Sequence, residues 1–163
     1  MTKKVMSKKL VTNHGAKKAD KAVIECLNRI YQAEMAGVMR YLHYSFMIMG
    51  HNRIPIQKWF REQATESMDH ATVIGEKLTA LGGHPAIEPV NIEETGDHTV
   101  SALLSESLSF ELEGLALYKQ LVKLAKNDIA LEELARSFVR QETEHAEEVE
   151  KMLANPNAPV EID

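Results

Sequence analysis

Only one cysteine, Cys26, occurs in the 163 residues, so the chain has no internal disulfide and a small stapled secreted fold is excluded. No apolar run approaches the ~20 residues needed to cross a bilayer, and the lysine-containing start lacks the apolar stretch and cleavage site of a signal peptide. A cytoplasmic protein is therefore expected. Positive charge is not in excess either: 19 Lys and Arg stand against 24 Asp and Glu, which argues against a general nucleic-acid binder. Strand-like alternation, internal repeats and a glycine-rich phosphate loop are also missing. What is present is 44% hydrophobic content in a length that suits one domain with a sizeable core.

Residues Met1 to Ala19 carry six lysines and few large apolar groups, and read as a flexible basic arm. The arm is either an electrostatic tether to nucleic acid or another acidic surface, or a solubilising tail. Residues 20–154 then show four helical patterns. The first runs from about Asp20 to Met49 with Ile24, Leu27, Tyr31, Glu34, Val38, Tyr41, Ser45 and Ile48 in steps of three and four. The second starts near Pro55 and stops at Gly82-Gly83, with Ile56, Phe60, Gln63, Ser67, His70 and Ile74 on one face. The third, about Thr99 to Lys126, aligns Leu104, Leu108, Glu111, Leu115, Tyr118 and Val122. The fourth begins near Ile129 after the turn and N-cap of Asn127-Asp128, ends before Asn155-Pro156, and aligns Leu131, Ala135, Phe138, Glu142, Val149 and Met152. The remainder, 155–163, is a short polar tail.

Between the second and third helices, His84-Pro85 through Asp97 has two prolines, a glycine and no period. Fifteen or so extended residues reach on the order of 50 Å, against about 40 Å for a helix of under thirty residues, so this segment can cross the whole length of a bundle. Short, long and short connections predict an all-α four-helix bundle with one long crossover.

Each helix carries a polar interruption at mid-length: Glu34, His70, Glu111, and Glu142 with His145 one turn on. A carboxylate or imidazole aimed into an apolar core costs several kcal/mol, roughly, unless it is paired. A carboxylate from each of two helices and a carboxylate–histidine set from each of the other two is how four-helix bundles hold two iron or manganese ions. Oxygen-rich ligation with one imidazole per ion suits iron.

In Leu27-Asn28 ahead of Glu34, Tyr41 behind it, Met68-Asp69-His70-Ala71, Leu81-Gly82-Gly83, Phe110-Glu111-Leu112-Glu113-Gly114 and Glu142-Thr143-Glu144-His145, the chain resembles the bacterioferritins over roughly Leu27 to Met152. The resemblance implies a ferritin-like homo-oligomeric shell that oxidises ferrous iron with dioxygen or peroxide at an intrasubunit dinuclear site and stores ferric mineral. It makes Glu34, His70, Glu111, Glu142 and His145 the ferroxidase ligands. Met68 is at the family's haem b position, with a flexible interface methionine as the other reading; it lies about 200° around the helix from His70.

The chain departs from the family at two places. Ser67 stands where the family has a bridging Glu, and Glu66, four residues before His70, is expected to stand in as catalytic and metal-binding carboxylate. The chain also ends soon after the fourth helix and begins with a longer basic arm, features that lean toward Dps-type mini-ferritins. Shell size, roughly 24 or roughly 12 subunits, is left open. A Dps-like protein guarding DNA from iron and peroxide is the alternative, with a non-storage di-iron peroxidase behind it. Rubrerythrin-like peroxidases of that kind usually add a Cys-rich iron domain, for which one cysteine does not suffice.

Overall fold

The computed structural model describes residues 20–88 and 90–155, so the expected basic arm and all but Asn155 of the tail lie outside the described residues. Four helices account for most of it: α1 (Lys21–Met47), α2 (Arg53–Ala80), α3 (Val100–Leu124) and α4 (Ile129–Leu153). No strand occurs among the described residues. The helix ends follow from local chemistry. Asp20, Thr99 and Asp128 cap α1, α3 and α4 by accepting from the backbone N–H of Ala22, Ala102 and Leu131. At the end of α2, Gly82 takes φ +80° while its N–H donates to Thr79 O and that of Gly83 donates to Leu78 O, both at 2.9 Å. This paired closure needs a left-handed residue that only glycine adopts without strain.

Cross-helix pairs reveal the topology. Tyr41 of α1 stacks on Phe60 of α2, while Glu34, two turns earlier, meets His70 further along α2, so these helices are antiparallel. The pairs Glu34 with Tyr118 and Tyr41 with Glu111 make α1 and α3 antiparallel as well. It follows that α2 and α3 run parallel, which a hairpin turn cannot achieve. The crossover that makes this connection is fastened along α1. Asn28 donates to His84 O at 3.0 Å and accepts from Ala86 N at 2.9 Å, and Arg40 donates to Glu93 O at 3.3 Å.

Two apolar cores fill the ends of the bundle. One contains Leu27, Ile30, Ile74, Leu78, Tyr118, Leu121, Leu131 and Phe138; the other contains Tyr41, Tyr44, Ile48, Phe60, Leu103, Leu104 and Val149. Between them every helix contributes buried polar groups: Glu34 from α1, Gln63, Ser67 and His70 from α2, Glu111 from α3 and Glu142 from α4. A polar layer closed above and below by apolar side chains is largely shielded from bulk water, which strengthens the charge interactions inside it.

Candidate metal centre

Mid-helix placement brings the predicted side chains together. His70 Nδ1 is 3.2 Å from Glu142 Oε1 and 3.5 Å from Glu34 Oε1. On the other side, His145 Nδ1 is 3.7 Å from Glu111 Oε2 and 3.8 Å from Glu142 Oε2. Glu142 thus turns one oxygen to each histidine. The ligand atoms of Glu34, His70 and Glu142 fall within 4.8 Å of one another, and those of Glu111, Glu142 and His145 form a second such group. The two groups enclose a cavity of about 20 Å³, also lined by Gln63, Ser67 and Gly114. That space takes single ions or waters and is far too small for an organic substrate.

Electrostatics shows what the cavity asks for. Burial pushes the Glu34 carboxyl above its ordinary range and carries Glu111 up to about 7. Burial pushes Glu142 the same way, but the neighbouring His145 and His70 rings outweigh it and hold Glu142 down at about 2. For the imidazoles burial favours the neutral ring, yet their carboxylate partners overcome it: Glu142 and Glu34 raise His70 to about 10, and Glu111 and Glu142 raise His145 to about 11. Each ring is therefore protonated at neutral pH, with Nδ1 aimed at two carboxylates. The ring protons occupy the places where the carboxylates converge, and a cation in each place would satisfy the same oxygens. His70 Nε2 is buried and lacks a hydrogen-bond partner, so the protonated ring leaves one donor unpaired. Three carboxylates and two imidazoles, without a thiolate, suit two iron or manganese ions.

Beyond the ligand groups, two tyrosines fix the outer carboxylates. Tyr118 Oη donates to Glu34 Oε1 at 2.6 Å, and Tyr41 Oη donates to Glu111 Oε1. Sequence reasoning listed both tyrosines without seeing these roles. The signal was a short repeat, which corrects the expectation of no internal repeat: Glu34 and Glu111 are each followed three residues later by glycine (Gly37, Gly114) and seven later by tyrosine. The halves differ in the second helix of each pair, where Glu142 precedes His145 by three residues in α4 and Ser67 precedes His70 by three in α2.

Among the predicted site residues, Glu34, His70, Glu111, Glu142 and His145 converge. Glu66 lies at the rim, with 37% of its side chain exposed. Its Oε1 is 3.1 Å from His145 Nε2 and 4.0 Å from His70 Nε2, on the side of the rings away from the three carboxylates and outside both ligand groups. Ser67 faces α1, its Oγ 2.8 Å from where a Cβ on Gly37 would stand. Met68 is exposed and away from the cavity.

Similarity to known proteins agrees with this geometry. The chain is 28% identical over 125 residues to a nutrient stress-induced DNA-binding protein of Nostoc sp., covering 77% of this chain but only 61% of that relative. A protein of the same name from Synechococcus sp. is 25% identical over 142 residues, 81% of each chain. A ferritin-like diiron-carboxylate protein from Bacillus anthracis superposes with a TM-score of 0.77 at 25% identity, over 88% of this chain and all of that one. The bacterioferritin of Rhodobacter capsulatus, solved with a metal-free dinuclear site and haem iron, shares the fold with a TM-score of 0.75 at 22% identity, over 87% of this chain and 99% of that one. The model of the ferritin-like domain matches residues 24–158, and with four helices closing on a carboxylate–histidine centre the chain belongs to the ferritin-like family.

Proposed function

We propose that the protein takes up ferrous iron as substrate at this centre, oxidises it, and stores the ferric product inside a homo-oligomeric shell. The observation that carries the reading is the pair of buried three-ligand groups sharing Glu142. Glu34 and His70 hold one ion and Glu111 and His145 the other, with one Glu142 oxygen for each. The ions each give up one electron to dioxygen or peroxide: two such electrons with two protons reduce dioxygen to hydrogen peroxide, or hydrogen peroxide to two waters. The chain's own part is positional and electrostatic. Tyr118 and Tyr41 orient the outer carboxylates, and the carboxylates stabilise the higher charge of the ferric product. Glu66 acts from outside the ligand groups, its carboxylate 3.1 Å from the outer nitrogen of His145 and so placed to set that ring's orientation.

The shell rests on a second apolar stripe. Along α1, Met35, Met39, Leu42 and Phe46 repeat in steps of four and three, and Met49 follows just beyond the helix end. Met39, Leu42, Phe46 and Met49 are exposed, as are Ile54, Met68 and Val73 of α2. Apolar groups at helical spacing on an outer face fit association with other copies. The exposed Met68 thioether is accessible to a haem b shared between two copies. A Soret band after expression with haem, abolished by Met68→Leu, is the outcome expected of that narrower reading.

The test is anaerobic loading with ferrous iron followed by air or peroxide. Near-ultraviolet ferric absorbance should appear faster than in buffer alone, and electron micrographs should then show hollow shells with dense cores. Binding of ferrous iron without accelerated oxidation would reduce the protein to an iron-binding shell. The names of the cyanobacterial relatives favour one addition, contact with DNA through the lysines of residues 1–19. A gel shift given by the full chain and lost on removing those residues would support it.

A further inference from the structure

A second group of metal-ligating side chains lies on the surface, where the crossover meets α1. His43 Nε2 of α1 and His98 Nε2, just ahead of α3, are 2.9 Å and 2.7 Å from the same atom, Glu94 Oε1. The three donor atoms lie within 4.8 Å of one another, and the side chains are one-third to one-half exposed. The rings stand 71° apart with centroids 6.3 Å apart, so two edges converge on one oxygen.

The neighbours hold this arrangement in place. Thr95, next to Glu94, donates its backbone N–H and hydroxyl to Glu106 Oε1 on α3. Asp97, next to His98, donates to Thr95 Oγ1 at 3.2 Å and accepts from Thr99 N at 2.9 Å, and Thr99 caps α3. The cation nearby, Arg40, is turned to Tyr44, Glu93 O and Glu106, 3.8 Å from the last, and does not neutralise Glu94. Glu93, Glu94, Glu106 and Glu113 line an adjoining groove of about 270 Å³ with Arg40 as its one cation, which leaves the approach acidic.

We propose that His43, Glu94 and His98 bind one divalent transition-metal ion of the zinc class and thereby clamp the crossover to α1. Two imidazoles and a carboxylate are a donor set of four-coordinate zinc, with the fourth position open to water. Imidazole donors select such ions over magnesium and calcium, which prefer oxygen alone. At ligand distances of ~2.1 Å the donors of a tetrahedral site stand ~3.4 Å apart, so the two rings must draw back from the Glu94 oxygen by about 0.5 and about 0.7 Å to admit an ion, a movement within reach of exposed side chains. The site shares no residue with the buried centre and does not depend on its function.

The experiment is a zinc chloride titration of the intact protein, read as equivalents bound per chain, for the native sequence, His43→Gln, Glu94→Gln, His98→Gln and the double variant His43→Gln/His98→Gln. Each single variant should bind one equivalent fewer than native, whatever the buried centre takes up, and the double variant should lose no more than either single. Zinc should also slow hydrogen exchange at the amides of Glu93 to Thr99 in the native protein and not in the variants. Equal stoichiometry in native and single variants, or losses that add in the double variant as independent surface histidines would, overturns the proposal.

Discussion

The α1–α2 half of the centre and the α3–α4 half are built to one pattern, and they differ at one position. Each has a glutamate with a glycine three residues on and a tyrosine seven residues on, facing a helix that carries a histidine. In α4 a carboxylate, Glu142, precedes the histidine by three residues; in α2 that position is Ser67. One side chain therefore serves both histidines, and the remaining nearby carboxylate, Glu66, reaches the rings from the other edge. Packing shows what the difference does locally. A Cβ on Gly37 would lie 2.8 Å from Ser67 Oγ and 3.0 Å from the Phe110 ring, whereas one on Gly114 would meet Glu142 Oε2 at 3.9 Å, an ordinary contact. The half with the serine has closed up around it.

Removing the shared carboxylate should break both halves at once. Glu142→Ala is expected to abolish stoichiometric ferrous binding and to slow oxidation by more than the ~10–100-fold typical of losing an outer partner, measured by anaerobic binding and stopped-flow absorbance. A variant that kept one ion would mean the halves are independent. At the rim, Glu66→Ala should slow oxidation ~10–100-fold while Ser67→Ala changes little. Equal rates for Glu66→Ala and native would show that the histidines need no outer acceptor.

The metal-free protein should respond to pH with a defined sign. His70 and His145 have folded values raised to about 10 and about 11, so their contribution is complete below the ordinary histidine value and is lost as pH rises through those values. Glu142, held at about 2, contributes above the ordinary carboxylate value and loses that contribution as pH falls toward 2. Glu34 and Glu111 are raised by burial, which moves the optimum to the acid side of neutrality. Thermal melting of metal-free protein should therefore peak at mildly acidic pH and decline steadily into the alkaline range. Zinc or manganese should flatten the alkaline decline, because a bound cation replaces the ring protons. A melting temperature that rises from neutral to alkaline pH without metal would contradict the charge arrangement.

The glycine pair gives the smallest effect. Gly37→Ala should destabilise by ~1–3 kcal/mol through overpacking against Ser67 and Phe110. Gly114→Ala should be neutral or gain up to ~1 kcal/mol from helix propensity. Denaturant unfolding of metal-free protein distinguishes them, and equal shifts would remove the packing asymmetry.

The four helices, the cap ahead of the fourth and the five converging side chains were legible in the sequence because each is a local property. A stripe in steps of three and four defines a helix, Asp128 ahead of α4 supplies its cap, and Glu34, His70, Glu111, Glu142 and His145 interrupt stripes that otherwise bury. The long crossover was legible from its prolines and its reach. What depends on two helices meeting was not. Antiparallel packing of α1 on α3 sets each tyrosine beside the other helix's glutamate, so Tyr41 serves Glu111 and Tyr118 serves Glu34. The rim position of Glu66 depends on the orientation of α2 against α4, since helical spacing alone puts it near His70 but says nothing of His145. The cluster of His43, Glu94 and His98 exists only because the crossover returns to α1 some fifty residues later, a closure that hydrogen bonds to Arg40 and Glu106 hold in place and no local pattern encodes.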